Sequence, residues 1–200
     1  MKKLILGAIV LFGVATAQVN AQTISGGVKA DAGLSGLLLK KAPDTKSKLG
    51  FGASAGGFLK LELSENFAIQ PELLLQLKNS KLESKSTKSK TDYQYFGLQV
   101  PVYALGQFSL GSGKLYAGVG PYVGFGFSAK EKLSGNKINL YKDKIMKRFD
   151  FGAGALVGYE FSNKMQINAG YKMGFVDLNK TKGDTKTRNH ELSLGIGYRF

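Results

Sequence analysis

The chain has 200 residues, which is enough for one ordinary domain, and it carries a formal net charge of +14 without a single cysteine. The absence of cysteine excludes disulfide bonds, thiolate metal sites and an anchor through a lipid-modified cysteine. Its 27 Gly, 13 Phe and 9 Tyr against 4 Pro favour many β-strands, with glycine where the walls of a sheet crowd or bend.

Residues 1–21 predict a secretory signal peptide. A short basic start precedes an apolar stretch from Leu4 to Ala17, and the segment ends in small residues at Ala21, where we expect cleavage. The apolar stretch is shorter than the roughly 20 residues that a spanning helix needs, which disfavours a membrane anchor. We therefore expect an exported domain over residues 22–200, and no apolar run within it is long enough for a spanning helix.

Apolar residues alternate with small or polar ones along this domain, as is typical of β-strands. In the last strand Leu192, Leu194 and Ile196 share one face, while Glu191 and Ser193 fall on the other. Strands of roughly 9–14 residues suit a tilted membrane crossing. The pattern predicts eight strands, at residues 24–34, 49–62, 67–78, 92–105, 114–128, 148–161, 165–176 and 190–200.

The predicted connections alternate between short and long. Short turns fall at 64–66, 108–113 and 162–164, and long segments at 35–48, 79–91, 129–147 and 177–188. This asymmetry predicts an all-β fold, an eight-stranded antiparallel up-and-down transmembrane β-barrel of a bacterial outer membrane with its long loops outside. The even number of strands then places both termini in the periplasm.

The alternative fold is a soluble lipocalin-like barrel or a β-sandwich, in which the apolar face would point inward. The predicted strands carry charged residues opposite their apolar rows, and aromatics such as Phe67, Phe127 and Phe149 gather near strand ends, where interfacial girdles belong. Both features favour a lipid-facing apolar exterior. Pro71 and Pro121 lie inside predicted strands, and we expect a bulge or a local ladder defect at each.

The inward-facing charges predict a filled interior. An eight-stranded barrel is just wide enough inside to hold side chains, and buried charges must be paired. We therefore expect a hydrogen-bonded plug, with an ion path as the alternative. The expected plug residues are Lys29, Asp31, Lys60, Glu62, Glu72, Lys172, Glu191 and Arg199.

The excess positive charge lies in the four long segments, which hold 18 of the 28 Lys and Arg residues and 6 of the 14 acidic residues. Three interpretations stay open: solvated mobile loops, attraction to the phosphates of lipopolysaccharide, and capture of an anionic ligand or nucleic acid. The scarcity of aromatic residues that could stack on bases disfavours nucleic acid, and salt screens exposed charge.

His190 is the only histidine, and Glu191 and Ser193 lie close to it in the sequence, which raises the alternative of a surface enzyme acting on lipid A. The alternation opposes this, because it places His190 outward and the other two inward. No GxSxG, HExxH, phosphate-binding loop or paired-histidine spacing occurs. We therefore expect no catalytic residue, no cofactor and no metal.

Five segments resemble the PorT-like outer-membrane β-barrel proteins of Bacteroidota, together with the signal ending at 20–22. They are FAIQPELLLQ (67–76), YFGLQVPVYA (95–104), LYAGVGPYVGF (115–125), FDFGAGALVGYEF (149–161) and LSLGIGYRF (192–200). The resemblance implies an eight-stranded barrel that the barrel-assembly machinery inserts through its terminal strand, with Tyr198 and Phe200 as the C-terminal insertion signal. It makes Pro71 and Pro121 family features and transfers no enzymatic residue. The name-giving member works in protein secretion, and this chain shows nothing that maps to that role.

The sequence thus predicts a monomeric, non-enzymatic outer-membrane barrel with basic extracellular loops and a structural or surface-interaction role. Two alternatives stay open, a narrow transporter or small-molecule-binding barrel and a lipid-A-modifying surface enzyme. The expected partners are outer-membrane lipids and lipopolysaccharide, the barrel-assembly machinery and an unidentified surface partner, without nucleic acid.

Overall fold

A computed structural model describes residues 23–40, 45–84, 90–133, 136–141, 146–178 and 186–200. The predicted signal peptide, residues 1–21, and Gln22 lie outside the described residues. No helix in the described ranges is long and apolar enough to cross a membrane. The regular structure there consists of β1 (Thr23–Lys40), β2 (Thr45–Lys48), β3 (Gly50–Ser64), β4 (Phe67–Ser84), β5 (Lys90–Leu110), β6 (Gly113–Leu133), β7 (Asn136–Asn139), β8 (Phe149–Glu160), β9 (Met165–Gly174) and β10 (Lys186–Arg199).

Eight of these strands close into a barrel. Each of β1, β3, β4, β5, β6, β8, β9 and β10 pairs antiparallel with its sequence neighbour among the eight. β1 also pairs with β10, from Gly27 opposite Arg199 to Lys40 opposite Lys186, and this pairing closes the ring. The predicted eight-stranded antiparallel up-and-down barrel is confirmed.

The long connections contain more β-structure than the sequence predicted. β1 continues to Lys40, β4 to Ser84 and β6 to Leu133, and β5 begins at Lys90, so much of the predicted loops at 35–48, 79–91 and 129–147 is strand. The short strands β2 and β7 pair with the outer ends of β4 and β6. These Lys- and Ser-rich stretches lack an apolar row, but strand formation depends more on neighbouring strands than on residue preference.

The short turns lie where the sequence predicts them. β3 and β4 are joined through Glu65 and Asn66, and β5 and β6 through Gly111 and Ser112, which makes the second turn tighter than predicted. Gly111 has a φ of 61°, a left-handed conformation that glycine adopts without steric cost. These turns gather at one end of the barrel, called the turn end below, opposite the long connections.

The apolar rows face outward and the charges face inward, as predicted. Leu194 and Val119 on the outer surface are 69% and 64% exposed, whereas Lys60 and Glu72 inside are 1% and 2% exposed. A soluble sandwich would have the reverse arrangement. The interior is also less polar than expected, because it includes the buried apolar residues Phe58, Leu74, Tyr103, Leu105 and Leu156.

Inward-facing glycines make room for aromatic rings on neighbouring strands. A Cβ atom at Gly158 would lie 2.4 Å from the ring of Tyr116, and one at Gly152 would lie 2.6 Å from the ring of Tyr122. Real Cβ atoms do not approach so closely, so the tyrosine rings can pack against the wall at these positions only because the residues there are glycines.

The prolines interrupt the hydrogen-bonded ladder without changing its register. Pairs are missing between β3 and β4 beside Pro71, and between β5 and β6 beside Pro121, while the register on either side is the same. The predicted ladder defects are therefore present, because proline has no N–H to donate. The predicted bulges are not at the prolines; the register shifts lie between Glu62 and Ser64 and beside Phe96.

Candidate functional site

Three clusters of charged side chains lie one above another in the barrel interior, and we call them the lower, middle and upper layers. The lower layer lies nearest the turn end. Its centre is Glu160, whose carboxylate accepts hydrogen bonds from Lys60 Nζ at 3.3 Å, Arg199 Nε at 3.0 Å and Gln166 Nε2 at 2.7 Å. Glu160 and Lys60 are almost fully buried. The lower layer therefore holds two cations around one carboxylate.

The middle layer reverses the signs. Lys29 Nζ lies 3.3 Å from Glu72 Oε1 and 3.6 Å from Asp31 Oδ1. Gln70 Nε2 donates to Glu72 at 2.8 Å, and Ser54 Oγ donates to Asp31 Oδ2 at 3.1 Å. Here two carboxylates share one ammonium group.

The upper layer returns to two cations around one carboxylate. Glu191 lies 2.9 Å from Lys78 Nζ and 3.3 Å from Lys172 Nζ. Lys172 and Gln76 also donate to the side-chain oxygen of Gln99, each at 2.8 Å. All five side chains are buried.

A single carboxylate, Asp150, follows above the upper layer. Tyr122 Oη and Asn189 Nδ2 donate to its Oδ2 atom at 3.1 and 2.9 Å. Its Oδ1 atom is buried and has no hydrogen-bond partner. Along the barrel axis the sign of the excess charge therefore alternates from layer to layer, and Asp150 balances the upper one.

The structure brings together seven of the eight predicted plug residues. Lys60 and Arg199 lie in the lower layer, Lys29, Asp31 and Glu72 in the middle layer, and Lys172 and Glu191 in the upper layer. Glu62 is not part of these layers, because it lies at the turn end and pairs there with the partly exposed Lys114 at 3.6 Å.

Two members of the layers were absent from the predicted set. Glu160 is the centre of the lower layer, and Lys78 forms the shorter of the two ion pairs of Glu191. Alternation along the sequence places both residues inward, so that signal was present. It does not indicate which charges meet across the lumen, because Lys60 and Glu160 are 100 residues apart in the sequence.

A lid of apolar and aromatic side chains covers the layers at the end opposite the turns. The connection before β8 folds back so that Leu140 N donates to Ala129 O at 3.0 Å and Lys147 N donates to Leu178 O at 2.9 Å. Tyr93 Oη donates to Met146 Sδ at 3.4 Å. We define the lid by its buried residues, Tyr93, Tyr95, Ala129, Leu140, Tyr141, Met146 and Leu178.

The electrostatics of the lid favour neutral side chains. Burial raises the pKa of the Tyr141 hydroxyl to about 12, although the Arg148 guanidinium opposes this rise. The Cζ atom of Arg148 lies 4.9 Å from the centroid of the Tyr141 ring, a cation–π distance. The lid therefore stays uncharged at physiological pH.

Comparison with known proteins agrees with this geometry. A family model described as the outer membrane protein beta-barrel domain matches residues 6–200. The chain belongs to this family. Membership places the barrel in the bacterial outer membrane, with its exposed apolar rows facing lipid. No curated protein matches the chain.

Solved structures with the same fold include two with a TM-score of 0.50. Neisserial surface protein A is 17% identical, with 89% of this chain and 99% of that chain covered. OprG from Pseudomonas aeruginosa is 15% identical, with 90% and 95% covered. The outer membrane enzyme PagL aligns with a TM-score of 0.48 and 12% identity over 86% of this chain and 98% of that chain. At these identities the likeness concerns the fold alone.

The barrel wall separates the three residues of the enzymatic alternative. Glu191 and Ser193 are buried in the lumen. His190 lies on the outer face, where its Nε2 atom would be 2.9 Å from a Cβ at Gly36 on the neighbouring strand. The trio therefore does not form a hydrogen-bonded catalytic group. In the described ranges, no group of three or more His, Asp or Glu side chains is arranged to hold a metal ion.

The chain terminus completes the wall at the turn end. Phe200 N donates to Gly26 O at 2.8 Å, so the last residue is hydrogen-bonded to the first strand. The Tyr198 and Phe200 rings are exposed on the outer surface, with their centroids 6.0 Å apart. This position is compatible with the predicted insertion signal, which stays a prediction.

Proposed function

We propose that this protein is a monomeric, non-enzymatic and non-conducting barrel that serves a structural or surface-interaction role in the outer membrane. The observation that carries the proposal is the filled lumen, in which three charge-paired layers lie beneath an apolar lid. We further propose that residues 1–21 are removed on export, that both termini face the periplasm, and that the barrel-assembly machinery reads Tyr198 and Phe200.

The filled lumen supports closure for an energetic reason. A hydrated ion could pass only by separating side chains that are buried and mutually neutralised. Breaking one buried ion pair costs about 3–5 kcal/mol, because it leaves an uncompensated charge. A path along the axis would have to open all three layers and the lid as well, so we expect no stable open state.

Planar-bilayer recording tests this proposal. Protein refolded into lipid should give no stable unitary current. If currents appear, the double variant Lys29→Gln with Glu72→Gln distinguishes their source, because it removes one ion pair from the middle layer and leaves Asp31 without its ammonium partner. A current altered by the variant passes through this lumen and contradicts the proposal, whereas an unaltered current comes from a contaminant. The same recording separates the structural role from the transporter alternative.

The PorT-like relationship is a finer proposal within the same family. Its support is the order and spread of the five matching sequence segments between residues 67 and 200. We propose no secretion role, because no residue of the sequence maps to that role.

A further inference from the structure

One buried carboxylate of the lumen has no cation beside it. Asp31, Glu72, Glu160 and Glu191 each lie within ion-pair distance of at least one lysine or arginine. Asp150 is equally buried, at 5% exposure, but within the described part of the chain it forms no ion pair. Buried charges need a partner of opposite sign, so Asp150 is the exception among these five carboxylates.

The two oxygens of Asp150 have different surroundings. Oδ2 accepts hydrogen bonds from Tyr122 Oη and Asn189 Nδ2, and both donors are neutral. Oδ1 is buried and accepts no hydrogen bond. A Cβ atom at Gly174 would lie 2.9 Å from Oδ1, so only glycine at that position keeps a side chain off this oxygen. Oδ1 is therefore a carboxylate oxygen that still needs a donor.

A second carboxylate lies at the same end of the barrel. Glu131 is directly opposite Tyr93 in the pairing of β6 with β5, so the two side chains share the lumen face. Burial raises the pKa of the Glu131 carboxyl group, and no basic group in the described ranges opposes this rise. The end of the lumen beneath the lid therefore carries two carboxylates without an ion-pair partner.

The lid brings tyrosine rings close to Asp150. Tyr95 and Tyr141 are buried in the lid, and the negative charge of Asp150 contributes to the raised pKa of Tyr141. Both rings already contact cations of the chain, because Arg148 Cζ lies 4.9 Å from the Tyr141 centroid and Lys78 Nζ lies 5.8 Å from the Tyr95 centroid. The face of an aromatic ring attracts positive charge. The surroundings of Asp150 thus favour a cation through both the carboxylate and the rings.

The remainder of the lid is apolar. Leu140 and Met146 lie in the connection before β8, Leu178 lies in the connection after β9, and all three are buried. A short hydrocarbon chain attached to a cation would be removed from water against these side chains. Connections open locally more readily than the paired strands of a barrel wall, so this part of the lid can admit a ligand from outside.

We propose that the lid closes over a small primary alkylammonium ion. Its ammonium group donates to Asp150 Oδ1, and its alkyl chain packs against Leu140, Met146 and Leu178. A primary ammonium group has three N–H donors and a positive charge, so it satisfies the oxygen and also neutralises the carboxylate, whereas water would only satisfy the oxygen. The site lies above the three layers and requires no passage through them. The inference therefore goes beyond the proposed structural role and does not depend on it.

The test uses the full chain refolded into lipid nanodiscs, with its methionine methyl groups labelled for nuclear magnetic resonance. Met146 reports on the lid, and Met165 at the turn end is the internal reference. Three probes with the same alkyl chain are titrated: n-butylammonium, n-butyltrimethylammonium and n-butanol. The second probe has the charge but no N–H donor, and the third has a donor but no charge.

We expect n-butylammonium to move the Met146 signal saturably, with a dissociation constant below about 10 mM from one charged hydrogen bond and ring contacts. The Met165 signal should stay in place. The other two probes should bind at least about tenfold more weakly, because each lacks one of the two features that Asp150 requires.

A matched pair of variants locates the site. Asp150→Asn should weaken n-butylammonium binding at least about tenfold, because the charge that holds the ammonium group is gone. Glu62→Gln removes a carboxylate at the turn end and should bind like the parent. The Met165 signal shows whether each variant has formed the barrel.

Three results would overturn the inference: no movement of the Met146 signal, equal binding of either comparison probe, or unchanged binding in Asp150→Asn. The comparison of probes uses the parent chain alone, so it tests the inference even if Asp150→Asn does not refold. The proposed function fails by a different observation, a stable lumenal current, which the titration does not measure.

Discussion

At the scale of single residues, the lumen depends on shared ions more than on simple pairs. Glu160 is within ion-pair distance of both Lys60 and Arg199, and Glu191 of both Lys78 and Lys172. Removing a shared centre leaves two like charges close together, both buried around Glu191 and one of them only partly buried around Glu160. Removing a residue at the turn end such as Glu62 leaves only the partly exposed Lys114 without its ion-pair partner.

This difference predicts unequal effects of two matched substitutions. Glu160→Gln should lower the free energy of unfolding by about 3–5 kcal/mol, because the buried Lys60 and the partly buried Arg199 lose their common anion. Glu62→Gln at the turn end should cost less than about 1 kcal/mol. Urea unfolding in lipid vesicles measures both, and equal losses would contradict the layered arrangement.

The sequence allowed us to predict which charged residues face the lumen, but not which of them form ion pairs with each other. Alternation assigns Lys29, Glu72 and Glu191 to the inside because the two-residue period of a strand is local. The choice of Glu160 as the partner of Lys60 depends on how far each strand is displaced along its neighbours. That displacement accumulates around the ring, and no local pattern in the sequence indicates it.

At the scale of elements, the lid is the part that the sequence did not indicate. Its residues come from β5, β6 and the connections before β8 and after β9, and no period links them. Leu140 and Met146 lay in a segment predicted only as a basic loop. Burial of a few apolar residues between many lysines fixes this loop over the lumen, and such sparse contacts leave no pattern in the sequence.

The lid should open when a charge is placed inside it. Met146 is buried and accepts a hydrogen bond from Tyr93, so Met146→Glu introduces an unpaired buried carboxylate. We expect faster chymotrypsin cleavage after Leu140 and Tyr141, with the barrel intact. Ile138→Glu, at a partly exposed position of β7, is the control. Unchanged cleavage in the Met146 variant would contradict a packed lid.

Strand ends were the least predictable feature of the elements. The apolar rows ended near Leu34 and Lys78, whereas β1 and β4 continue to Lys40 and Ser84. The reason is that lipid contact requires apolar residues only within the membrane, while hydrogen bonding to a neighbouring strand continues beyond it. The sequence therefore indicated the membrane crossing and missed the strand extensions beyond it.

At the scale of the whole molecule, one physical rule accounts for the architecture. Side chains that alternate along every strand must separate into two surfaces, and closure of β1 on β10 makes one surface interior and the other exterior. Charged residues occupy the interior because they can neutralise one another there. The topology was predictable because this rule acts on each strand independently.

Site-directed spin labelling tests the orientation of the two surfaces most directly, because the chain has no cysteine and any introduced one is unique. Labels at Leu194→Cys and Val119→Cys, in protein refolded into vesicles, should be highly accessible to oxygen dissolved in lipid and shielded from a water-soluble nickel chelate. Ser193→Cys, which points into the lumen, should be shielded from both. Nickel access at Leu194 and Val119, with oxygen access at Ser193, would contradict the account.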